Sequence, residues 1–139
     1  MIFILFHFFL SPLQDTEGWQ LLTTTTWEKG EIDIGFDFST PTFSHELKVY
    51  EGKNFEVEGF VLPTSFSVES GFFILSRYPY QSCFFCGMAG PETVIEVYAE
   101  SIGYLMPDQK IKVSGSLSLN ETDPFHLPFQ LMKATIRGK

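Results

Sequence analysis

The chain has 139 residues, of which 44% are hydrophobic and 19% charged, a mix that excludes a disordered polymer and sets the expectation of one domain. Nine Lys and Arg stand against 17 Asp and Glu, a net charge of −8. Such an acidic surface repels phosphate backbones, so nucleic acid is excluded as a partner held by charge.

Residues 1–10 read MIFILFHFFL, and nothing before Asp15 is charged. The run is too short to span a bilayer as a helix, which takes about 20 residues, and it fits the apolar region of a secretory signal. No Lys or Arg precedes Lys29, and SPLQ is a poor cleavage site. The expectation is a leader over 1–18, an exported or periplasmic location, a single domain over 19–139, and no membrane span once the leader is removed.

Aromatic residues reach 17%, 16 of them Phe, beside 11 Gly and 8 Pro. This composition indicates short strands joined by turns. In 31–38 (EIDIGFDF), Ile32, Ile34, Phe36 and Phe38 alternate with polar residues or Gly, and Pro41 is expected to break that strand. Phe43, Leu47 and Tyr50 fall on one face of a short helix, which Gly52 stops. Strands follow over about 53–62, 71–76, 93–99, 110–119 and 129–136. Gly59 and Gly115 stand in mid-strand, where a bulge or corner needs them. The pattern predicts an all-β protein with minor α content: a five- to six-stranded Greek-key barrel of the oligonucleotide/oligosaccharide-binding (OB) type, with one short helix before it. An open β-sandwich is the alternative.

Two loops stand out. The first, 77–92 (RYPYQSCFFCGMAGPE), is long for a small β-domain, and long loops often carry function. It holds both cysteines of the chain, Cys83 and Cys86, spaced C-x-x-C. A disulfide clip, a metal site and two buried thiols packed as small hydrophobes all fit this spacing. For a metal, zinc or copper, Met88 and His126 are the candidate further ligands; His45, Glu92 and Asp123 are reserves. A thioredoxin-type enzyme needs the motif at a helix start in a βαβ context, which this chain lacks. The absence of a following His excludes c-type haem attachment. The second loop, 120–128 (NETDPFHLP), carries His126. No catalytic signature emerges, and the Glu and Asp residues along the strands read as a solvated face.

Phe43-Ser44-His45-Glu46-Leu47, Tyr50-Glu51-Gly52-Lys53 and Val57-Glu58-Gly59-Phe60-Val61-Leu62-Pro63 resemble a family of uncharacterised small exported bacterial proteins. The likeness covers roughly residues 43–119. It implies an exported small β-barrel, in some cases encoded beside transport systems for metals. Many members carry Cys-x-His in the loop. Cys83 matches the Cys, but Phe85 stands at the His position, so that ligand role does not transfer. The combined expectation is a non-enzymatic binding or accessory protein, with a metal ion and a membrane transport system as partners. A thiol-redox protein using Cys83 and Cys86 is the alternative.

Overall fold

The computed structural model describes residues 16–29, 39–63 and 71–137. Residues 1–15 of the expected leader and the strand expected over 31–38 lie outside the described residues.

Five strands close into a barrel: β3 (Asn54–Val61), β4 (Phe72–Ser76), β5 (Val94–Ala99), β6 (Lys110–Leu119) and β7 (Phe129–Arg137). Their order around the barrel is β3-β4-β5-β7-β6. Every neighbouring pair is antiparallel except β5 and β7, which run parallel. This is a closed, OB-like Greek-key barrel, not an open sandwich. The period-2 pattern explains its core. Phe55, Val57 and Val61 of β3 point inward, with Phe73 and Leu75, Ile95 and Val97, Ile111, Val113 and Leu117, and Phe129 and Leu131.

The two mid-strand glycines sit where a side chain would collide with the backbone of a neighbouring strand. A Cβ at Gly59 would run into the Ser76 carbonyl oxygen. One at Gly115 would lie 2.8 Å from the Met132 oxygen and 3.1 Å from the Ala134 Cα. Opposite Gly115, β7 carries an extra residue. Ser114 pairs with Thr135 and Ser116 with Met132, so two steps on β6 face three on β7. Lys133 takes up the surplus with φ 49°. The same surplus shifts the register against β5, between Val97 and Ala99. A bulge of this kind bends a strand and increases its twist, which closure of a small barrel requires.

Two short helices accompany the barrel. In α1 (Thr16–Leu22), Trp19 and Leu22 are buried in the main core, and the Trp19 Nε1–H donates to the Glu58 carbonyl at 2.7 Å. This helix runs across the boundary expected at residue 18. In α2 (His45–Lys48), the Ser44 hydroxyl accepts the Leu47 N–H at 3.1 Å as an N-cap. Phe43 and Leu47 are buried, but the helix ends before Tyr50, which is exposed and packs edge-on to Phe55.

Between the helices, β1 (Thr26–Lys29) and β2 (Ser39–Thr42) form an antiparallel pair. Pro41 does not break a strand here; it lies within β2, opposite Trp27. A two-stranded ribbon leaves alternate N–H groups unpaired on its outer edges, and Pro is tolerated at such a position.

A second, smaller core lies on the outside of the barrel. Ile74 and Val94 point outward from β4 and β5, yet they are buried with Leu62 and Cys83 and flanked by Phe72, Phe84 and Leu127. The loops 77–93 and 120–128 thus supply the side chains that cover this outer face.

Candidate functional site

The 77–93 loop is closed at its base by the Arg77 N–H, which donates to the Thr93 carbonyl at 2.9 Å. It is braced at its tip by the Tyr80 N–H on Asp108 Oδ1 at 2.9 Å. Three single turns of 3-10 helix, Tyr80–Ser82, Phe84–Cys86 and Pro91–Thr93, replace the irregular loop expected there. Cys83 joins the first two turns, and the Cys86 N–H returns to its carbonyl at 3.2 Å.

That turn brings the two sulfurs together. The Cys83 thiol donates to Cys86 Sγ at 3.8 Å, and the Cys86 thiol donates to the Tyr80 carbonyl at 3.3 Å. Both cysteines are free thiols; Cys83 is fully buried and Cys86 exposed. Desolvation of the Cys86 sulfur, followed by the hydrogen bond and charge of Cys83, raises the Cys86 pKa. Reactive cysteines show the reverse shift, produced by a cation or a helix N-terminus.

Met88 sits on the same loop, 69% exposed, with its N–H on the Cys83 carbonyl. The structure places His126 elsewhere, in contact with Glu96 and Tyr98. His45, Glu92 and Asp123 join no metal-binding group either: among the described residues, no set of three or more His, Cys, Asp or Glu side chains is placed to hold an ion.

Sequence reasoning missed a second centre. Glu96 points outward from β5 and is only 4% exposed. Its Oε1 accepts the Leu127 N–H at 2.8 Å. Its Oε2 accepts from Gln130 Nε2 at 2.9 Å and from the Tyr98 hydroxyl at 2.9 Å, with His126 Nδ1 at 3.3 Å. Burial, then the hydrogen bond and charge of Glu96, push the Tyr98 pKa upward, so its hydroxyl keeps its proton and donates. The signal was present in the sequence. Glu96 stands within VIEVYA, where an outward position flanked by apolar residues has Tyr98 two residues on, on the same face.

Asn120 shapes the 120–128 loop above this carboxylate. Its Nδ2 donates to the carbonyls of Asp123, His126 and Leu127. Its Oδ1 accepts the N–H groups of Thr122 and Asp123.

No protein-family model matches the sequence, and neither does any curated protein. No helix among the described residues is long and apolar enough to cross a membrane.

Proposed function

We propose that the chain is an exported, non-enzymatic binding or accessory protein whose Cys83/Cys86 pair takes a thiophilic metal ion, zinc or copper, as cargo. The observation that carries this reading is the 3.8 Å between the two sulfurs. Two thiolates on a tetrahedral zinc, each bonded at about 2.3 Å, stand about 3.8 Å apart, so the turn already holds the required span. A Cu(I) ion also favours thiolates, and Met88 on the same loop carries a soft thioether.

Two protein donors leave the remaining positions to solvent or to a partner's ligands. That suits an ion handed on, because structural sites are closed by four protein ligands. The apolar run over residues 1–10 supports export, and the family resemblance supports a transport system as the partner. The short sulfur separation also favours the thiol-redox alternative, whereas the raised Cys86 pKa argues against it.

The test is zinc and Cu(I) titration of the reduced protein against Cys83→Ser, Cys86→Ser and the double variant. One ion per chain, with either single change removing about as much affinity as both together, supports a shared site. No binding by the reduced protein, combined with turnover of a disulfide substrate such as insulin, transfers the pair to redox chemistry. No binding and no turnover returns both thiols to packing.

A further inference from the structure

The 77–93 loop displays apolar side chains that its own packing does not use. Cys83 and Phe84 fill its inward positions and cover Ile74 and Val94. Phe85 is 51% exposed and Met88 69%, on either side of Cys86 in the chain. Residues 78–91 carry no charged side chain, in a chain of net charge −8. Exposed apolar residues gathered on one loop mark an interaction surface. Their display is fixed by the backbone. The N–H groups of Cys86 and Met88 return to the Cys83 carbonyl, and that of Gly87 to the Phe84 carbonyl at 2.9 Å.

The donor set points to the same surface. Zinc takes four ligands in a tetrahedron. Among the described residues, no third His, Cys, Asp or Glu joins Cys83 and Cys86. Cys83 is fully buried and Cys86 exposed, so the pair opens to solvent on the Cys86 side. Whatever completes the ion there also meets Phe85 and Met88.

We propose that a second copy of this chain completes the ion, so that two dithiols on one zinc hold a symmetric dimer through the 77–93 loops. The proposal rests on the zinc reading of the pair given above. A two-fold arrangement sets one patch against itself. Two Cys83/Cys86 pairs then supply four thiolates, and Phe85 and Met88 of each copy surround them. The four thiol protons leave to solvent as the ion binds. The lack of charge over 78–91 spares two acidic chains local repulsion where they touch. With zinc in excess, each pair takes its own ion, water fills the open positions, and the copies separate. An ion shared by two identical dithiols can leave on either, as a cargo that is handed on must.

The experiment is sedimentation velocity of the reduced full chain titrated with zinc, with a phosphine as a reductant free of thiols. The expected result is a monomer without zinc and most dimer at one zinc for two chains. Dimer should decline as zinc passes one per chain, and EDTA should dissociate it. Cobalt(II), as a spectroscopic stand-in, should give a tetrathiolate spectrum at the lower ratio and a mixed sulfur–oxygen spectrum at the higher. Phe85→Glu places a carboxylate on each copy at the contact. It should still bind zinc, yet dimerise at least about tenfold more weakly. Zinc bound by a chain that stays monomeric at every ratio overturns the proposal and leaves the ion-binding reading standing. A dimer that forms without zinc, survives EDTA, or forms equally well in Cys86→Ser or Phe85→Glu also overturns it. No zinc binding at any ratio removes the reading and the proposal together.

Discussion

The carboxylate of Glu96 accepts the backbone N–H of Leu127 at 2.8 Å, tying the outer face of β5 to a loop thirty-one residues further along the chain. The same contact lets Leu127 pack against the outer core that also holds Cys83. The two loops therefore share one apolar floor, and Glu96 is the polar post at its edge.

Glu96→Gln keeps the shape and removes the charge. One oxygen remains to accept the Leu127 N–H. The new amide meets Gln130 Nε2, which is also a donor, and the charge-assisted bonds from Tyr98 and His126 are lost. Hydrogen bonds to charged groups contribute about 1.5–3 kcal/mol each, so a loss of roughly that size is expected for the cluster. Urea denaturation measures it. Amide exchange at Leu127 should quicken more than exchange at Val97, whose side chain lies in the main core.

Gly115 and Lys133 face each other across the β6–β7 bulge, and exchanging their residue types should act in opposite directions. Gly115→Ala drives a methyl group against the Met132 carbonyl and the Ala134 backbone, which cannot swing aside. Overpacking of this kind costs about 1–3 kcal/mol. Lys133 holds φ 49°, in the left-handed region, where an L side chain costs about 1–2 kcal/mol. Lys133→Gly should therefore raise stability by up to about 1 kcal/mol after the added chain entropy of glycine. Equal losses from both changes would show that the bulge is not what positions these residues.

The barrel was legible because its strands keep an inward row of large apolar residues. Ile111, Val113 and Leu117 around Gly115 announce both the strand and its bend. Less legible were elements whose pattern tertiary contacts override. Trp19 and Leu22 span one helical turn, too short a stretch for periodicity to resolve α1, which rests instead on the barrel core. Pro41 reads as a breaker because sequence alone does not reveal that, among the described residues, β2 pairs with β1 alone. Glu96 looked solvated because an outward position on a strand is normally wet. Only the return of the 120–128 loop makes it buried. The pairing of Cys83 with Cys86 followed from their spacing, whereas the position of His126 depended on how two distant loops pack.

Trp19→Ala tests whether α1 belongs to the cooperative unit. The change removes a large buried ring and the hydrogen bond to the Glu58 carbonyl. Replacing a buried Trp by Ala costs about 3–5 kcal/mol. A thermal melt of this variant should fall well below that of the unaltered chain. Residues 16–139 should retain the full transition, while residues 23–139 should lose as much as Trp19→Ala or more. An unchanged melt for 23–139 would show α1 to be an ornament on a self-sufficient barrel.

The two thiols should differ sharply toward an alkylating reagent. Cys86 is exposed and Cys83 fully buried beneath the loop, so iodoacetamide should add once, at Cys86, and reach Cys83 only on unfolding. The attacking species is the thiolate. Desolvation and the Cys83 contact raise the Cys86 pKa above the ordinary thiol value of 9.0, so its reaction should be slow at neutral pH and quicken only above that value. The same shift sets a direction for stability. The folded chain holds this proton more tightly than the unfolded chain, so the contribution is complete below pH 9.0 and is lost as pH rises through the folded value. Mass spectrometry of timed samples across the pH range reads both site and rate. Fast modification at neutral pH, or equal labelling of the two cysteines in the native protein, would contradict the buried-and-exposed pair and would strengthen the redox alternative.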